Sequence, residues 1–155
     1  MKRALLLAVL AALLVAACGA YTKQDFIAGA DAICASTVRQ TRSLVPPSFA
    51  GSKKQQLAAL GAYAGNVVPL VQSEDAHIRA LQRPSEDAHS RALLARYLGA
   101  LRQTVGDYED LAAAAKRGDA AGVAGAEGEL HESPVTSLAA GYGLRSCAMP
   151  GATVA

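Results

Sequence analysis

From Thr22 to Leu144, apolar residues recur at spacings of three and four, interrupted by short polar or proline-containing segments. That is the period of a helix with one buried face, and neither the alternation nor the turn pairs of hairpins are present. Thr22, with Asp25 three residues on, predicts an N-cap related to a capping box. A first helix then runs to about Leu44, with Phe26, Ala30, Ile33, Cys34, Thr37 and Thr41 on one face. Val45-Pro46-Pro47 ends it, since the residue before a proline is pushed out of the helical region. Ser52 caps a second helix, to about Gln82. Its seam is Leu57, Leu60, Ala64, Val67, Val71, Ile78 and Leu81, with Glu74 in one place of the same seam. Pro69 removes one backbone donor and predicts a kink, because the apolar phase continues beyond it.

Arg83-Pro84-Ser85 reads as the next turn, with Ser85 as N-cap and Glu86 and Asp87 in the first turn, where the helix dipole favours negative charge. The third helix continues to about Lys116 through Leu94, Tyr97, Leu98, Leu101, Val105, Tyr108, Leu111 and Ala112. Gly118 suits a left-handed cap behind Lys116-Arg117. Asp119 caps a fourth helix that carries Val123, Leu130, Leu138 and Tyr142 and bends at Pro134. Its Gly122, Gly125 and Gly128 each cost about 0.5–1 kcal/mol against alanine, and they thin the helix so that a neighbour can come close. Four amphipathic segments joined by short loops predict an all-α fold, an up-down-up-down four-helix bundle over residues 22–147, with a disordered tail at 148–155.

Ahead of the bundle, Met1-Lys2-Arg3 is a positive n-region and residues 4–15 are an apolar stretch too short to span a bilayer. Leu14-Val15-Ala16-Ala17-Cys18 resembles a bacterial lipobox. The expectation is a signal peptide at residues 1–17, lipidation of Cys18 and a short tether through residue 21. An ordinary secretory signal is the alternative. Two acyl chains on one cysteine suffice for stable anchoring, so the expected location is the cell membrane, on its extracytoplasmic face. With Cys18 taken by lipid, Cys34 and Cys147 remain as a pair in an oxidising compartment and are expected to form one disulfide from the first helix to the C-terminal segment. Two buried free thiols are the alternative. The pair lacks Cys-x-x-Cys spacing, and no His or Lys flanks either cysteine as in a redox centre.

Of 15 basic residues, Lys2 and Arg3 belong to the signal, leaving 13 against 13 acidic ones. A neutral domain with few aromatics offers nucleic acid no footprint. The chain also lacks Gly-x-Ser-x-Gly, Ser-x-x-Lys, a phosphate-cradling glycine loop and a haem-attachment motif. No enzymatic activity and no cofactor is expected.

Asp25-Phe26 followed by Asp31-Ala32-Ile33-Cys34, then Ala113-Ala114-Ala115-Lys116-Arg117-Gly118-Asp119 and a closing Tyr142-Gly143-Leu144-x-x-Cys147, resembles a family of small exported or lipid-anchored helical proteins of actinobacteria. The likeness spans essentially the whole chain after the signal. It implies the helical fold, the paired cysteines and the location, and it carries over no catalytic residue.

One constellation suggests chemistry. Ser73-Glu74-Asp75-Ala76-His77 recurs as Ser85-Glu86-Asp87-Ala88-His89 across the Pro84 turn. Each copy holds Glu-x-x-His, the spacing of di-iron carboxylate bundles, so Glu74, His77, Glu86 and His89 form a candidate metal set. Helical phase opposes it: the glutamates fall roughly 50–60° from the centres of their apolar faces, the histidines more than about 100° away. Tyr63, Tyr97, Tyr108 and Tyr142 lie at core spacing and read as packing rather than a ligand box. The expected function is a lipid-anchored, non-catalytic envelope interaction or accessory module with an unidentified envelope partner. The alternative is a carrier or sensor holding an apolar small molecule or a metal ion between its helices.

Overall fold

The computed structural model describes residues 21–149. The lipobox, Cys18 and residues 150–155 of the expected tail lie outside the described residues. Among the described residues five helices follow in order: α1 (Lys23–Arg42), α2 (Lys53–Ala80), α3 (Ala88–Arg117), α4 (Ala120–Glu132) and α5 (Val135–Tyr142). Among the described residues there is no strand, and none of the helices is long and apolar enough to cross a membrane.

The helix starts are chemically explicit. Thr22 and Asp25 exchange hydrogen bonds in a full capping box, and Ser52 and Gln55 do the same for α2. The Thr22 hydroxyl and N–H hold the Asp25 carboxyl below its ordinary value. The third start differs from expectation. Asp87, not Ser85, is the N-cap of α3. Its carboxylate accepts from the N–H groups of His89 and Ser90 at 2.8 and 3.0 Å, so two orphan donors outweigh the single bond a serine hydroxyl offers. The Ser90 backbone and hydroxyl, first among its partners, hold Asp87 below its ordinary value. Gly118, at φ 71°, closes α3 in the left-handed region.

α2 runs unbroken through Pro69. The expected fourth helix is instead two, α4 and α5. Ser133 leaves helical geometry (φ −58°, ψ 126°) before Pro134, which has no N–H to continue the ladder. The Ser133 hydroxyl meets the Thr104 hydroxyl of α3 at 2.9 Å, which holds the break in place.

Helix α3 packs against α2, α4 and α5, and α1 packs against α2. Two apolar clusters make the core. One gathers Phe26, Cys34, Ile78, Leu94, Leu101, Leu138, Tyr142 and Leu144. The other gathers Ala64, Val67, Val71, Tyr108, Leu111, Val123 and Ala126. Buried polar residues stand between them. Glu74 and Asp75 interrupt α2 between Val71 and Ile78, and Thr104 and Asp107 interrupt α3 between Leu101 and Tyr108. Arg79 reaches across from α2: its Nε donates to Asp75 at 2.6 Å, and its terminal nitrogen donates to the Leu98 carbonyl of α3.

The C-terminal segment is fastened to α1. Cys34 and Cys147 form the disulfide, with Cα atoms 5.1 Å apart, as the cysteine pairing predicts. The Phe26 and Tyr142 rings meet edge to face at 5.9 Å, and the Lys23 ammonium sits 4.4 Å over the Tyr142 ring. Ala148, expected to begin the loose tail, is half-buried against the first cluster.

Of the α4 glycines, Gly122 allows the close approach expected, since a Cβ there would lie 3.0 Å from the Ala114 Cβ of α3, but Gly125 and Gly128 do not. A Cβ on Gly125 or Gly128 would meet nothing within 4 Å. A close approach is also made at Gly61 of α2, where a Cβ would lie 3.2 Å from the backbone nitrogen of Lys116.

Candidate functional site

The structure does not gather the four candidate metal ligands. Glu74 is 3% exposed. His77 is exposed and shares a hydrogen bond with the Ser73 hydroxyl at 3.1 Å. Glu86 precedes α3 and accepts from the Tyr142 hydroxyl, and His89 is exposed on the first turn of α3. Among the described residues, no group of three or more His, Cys, Asp or Glu side chains is placed to hold a metal ion. The helical phase supplies the reason: at Glu-x-x-His spacing on α2 the glutamate turns inward and the histidine outward.

Among the described residues, cavities lie between the helices, two of them large enough to hold a small molecule. The larger, about 790 Å³, is bounded by α2, α3, α4, the start of α5 and the Pro46–Phe49 segment. Its walls include Leu60, Tyr63, Val67, Tyr108, Leu111 and Leu130, with Glu127, His131, Ser133 and Thr136 supplying polar atoms. Phe49 stands at the cavity's edge, 67% exposed. Gln56 holds this segment from α2, donating to the Phe49 carbonyl at 2.7 Å and the Gly51 carbonyl at 3.2 Å. The cavity is mostly apolar with a few polar groups, the make-up of a small-molecule site. Its volume falls within the range such sites span, roughly 300–1,000 Å³.

Helical spacing assigns Tyr63 and Tyr108 to packing, whereas both line this cavity. The available signal was the Val45-Pro46-Pro47-Ser48-Phe49 segment, where large apolar residues occupy a stretch with no helical face to place them on. Burial raises the Tyr108 hydroxyl above the ordinary tyrosine value, with smaller contributions from Tyr63 and Glu74. At neutral pH it therefore serves as a hydroxyl and not as an anion.

The smaller cavity, about 590 Å³, lies between α1 and α2. Ile33, Leu70 and Leu81 give it apolar walls, and Ser36, Thr37, Gln40, Ser73, Glu74 and His77 its polar ones. Burial pushes the Glu74 carboxyl up to about 7. A hydrogen bond with Thr37 opposes that shift, and the neighbouring Asp75 adds to it. Glu74 Oε2 has no hydrogen-bond partner, and neither does the buried Tyr97 hydroxyl. Burial also raises the Tyr97 hydroxyl well above its ordinary value, with added repulsion from Glu74, Asp31 and Asp75.

Compared with known protein families, curated proteins and solved structures, the chain matches none.

Proposed function

We propose that this chain is an extracytoplasmic, lipid-anchored helical bundle that carries or senses an apolar small molecule between its helices and does not catalyse a reaction. The observation that carries this reading is the larger cavity, with Leu60, Val67, Leu111 and Leu130 around a handful of polar groups. Leu14-Val15-Ala16-Ala17-Cys18 supports the anchored location, as does the resemblance to small exported actinobacterial helical proteins. The up-down-up-down course of the helices belongs to the same proposal. It is supported by contacts that run in opposite senses along α2 and α3: Gly61 near Lys116, Gln72 donating to Glu109, and Arg79 donating to Leu98.

Native mass spectrometry of the disulfide-bonded chain, set against its denatured mass, tests the carrier reading. An adduct lost on denaturation, and missing when Thr136→Trp fills the cavity wall, is the expected result. A bare native mass together with no binding of the apolar reporter N-phenyl-1-naphthylamine would rule it out.

Val45 and Phe49, 86% and 67% exposed, support a second reading: an accessory module whose loop docks on an envelope component. Crosslinking from position 45, with Phe49 intact, tests it. Recovery of a single envelope partner is expected, and loss of that product in Phe49→Ser separates docking from chance proximity.

A further inference from the structure

We propose that the cavity between α1 and α2 is a second binding site, for a small molecule that carries a protonated amine on an apolar body. It shares no lining residue with the larger cavity, so it goes beyond the carrier reading. The inference starts from an unmet need. Glu74 lines this cavity, is 3% exposed, and keeps one carboxylate oxygen, Oε2, without a partner. A buried carboxylate oxygen without a donor carries a desolvation cost that a hydrogen-bonded cation would offset. The terminal torsion of a glutamate is broad, so the carboxyl can turn toward a guest.

The lining selects the guest's chemistry. Glu74 is its one acidic side chain, and neither lysine nor arginine lines it, so an anion would meet a carboxylate with only His77 at hand. A multivalent metal would find a single carboxylate and no cluster around it. A wholly apolar guest would leave Oε2 as it stands. An ammonium supplies the missing donor as a charge-assisted bond, the stronger kind, while Ile33, Leu70 and Leu81 receive the apolar body. Asp75 is the other carboxyl beside Glu74 and is already engaged by Arg79 at 2.6 Å. From α3 the neighbouring titratable groups are Tyr97 and Tyr108, both neutral at ordinary pH. The free carboxyl is therefore that of Glu74.

The test uses the full chain with its disulfide formed, labelled with ¹⁵N and titrated at pH 8, where Glu74 is ionised and the amine still protonated, with benzylamine and with its neutral counterpart benzyl alcohol. The amine is expected to shift the amides of Ile33, Thr37, Ser73 and His77 and to bind at least about tenfold tighter than the alcohol. Glu74→Gln, checked for unchanged helicity, is expected to abolish that preference. Ser73→Trp, at an exposed position on the cavity's edge, is expected to block both probes and serves if the first variant folds poorly. Equal affinity for the two probes, an amine preference that survives Glu74→Gln, or no response at millimolar amine would each overturn the proposal. Shifts confined to Tyr63, Ala64 and Leu130 would also overturn it while leaving the carrier reading intact.

Discussion

Asp31 on α1 accepts a 2.8 Å hydrogen bond from the backbone N–H of Ser146, 115 residues further along the chain. Its other oxygen accepts from the N–H of Arg145 at 3.2 Å. One carboxylate thus serves two donors of a turn that has no helix to satisfy them, one residue ahead of the bridged Cys147. Asp31→Ala strands both N–H groups. The expected cost is about 1–3 kcal/mol, read as a fall of several degrees in Tm by circular dichroism, while Asp31→Asn retains part of the effect.

Glu74 makes stability depend on pH. Its folded value is raised from 4.5 to about 7, so between those values the folded chain holds a proton that the unfolded chain has released. The contribution is fully present below about 4.5, is lost as pH rises through about 7, and is flat above that. The groups facing it are Asp75 on α2, paired with Arg79, and the His77 ring at the cavity's edge; Tyr97 and Tyr108 on α3 stay neutral. Glu74→Gln is expected to remove this slope. Its stability relative to the parent should improve by up to about 3 kcal/mol between pH 5 and pH 8, measured by urea unfolding at both.

The disulfide closes a loop of 113 residues. In the chain-entropy model that is worth about 4–5 kcal/mol. The double variant Cys34→Ser, Cys147→Ser should therefore unfold at much lower urea. Reductant should move the parent's midpoint toward that of the variant and leave the variant's own midpoint unchanged.

The glycines divide by their surroundings. Gly125 and Gly128 face open space on α4, so alanine at either is expected to stabilise by about 0.5–1 kcal/mol. Gly61 faces the backbone of Lys116 at 3.2 Å, so Gly61→Val must force α2 and α3 apart and should cost about 1–3 kcal/mol. Thermal unfolding of the three variants checks both signs at once.

Local chemistry was legible wherever one residue type decides the outcome. Thr22 and Ser52 cap, Gly118 turns left-handed, Cys34 finds Cys147, and the stripe from Val67 to Ile78 marks the buried face of α2, with Glu74 inside it. What escaped depended on competition or on distance. Ser85 and Asp87 can both cap, and the choice rests on Asp87 satisfying two N–H groups. Pro134 signals a bend, but whether it becomes a break depends on Thr104 receiving Ser133 from another helix. The cavities lie between elements distant in sequence, so Tyr63 and Tyr108 look like ordinary core residues until Pro46–Phe49 is seen beside them. The spacing of Glu74 to a histidine suggests a ligand, whereas its setting is made by Thr37 on α1 and Tyr97 on α3.

The bridge from Cys34 to Cys147 also sets how the molecule bears load. Everything between those residues lies inside a covalent ring. A force drawn between the two ends of the described chain can strip only the part of α1 ahead of Cys34 and the few residues after Cys147 before it meets the sulfur–sulfur bond. The rest of α1, from Cys34 to Arg42, and all of α2, α3, α4 and α5 would stay folded under tension that would unzip an unbridged helical bundle. Under force, an oxidised chain should therefore show a far shorter extension than a reduced one.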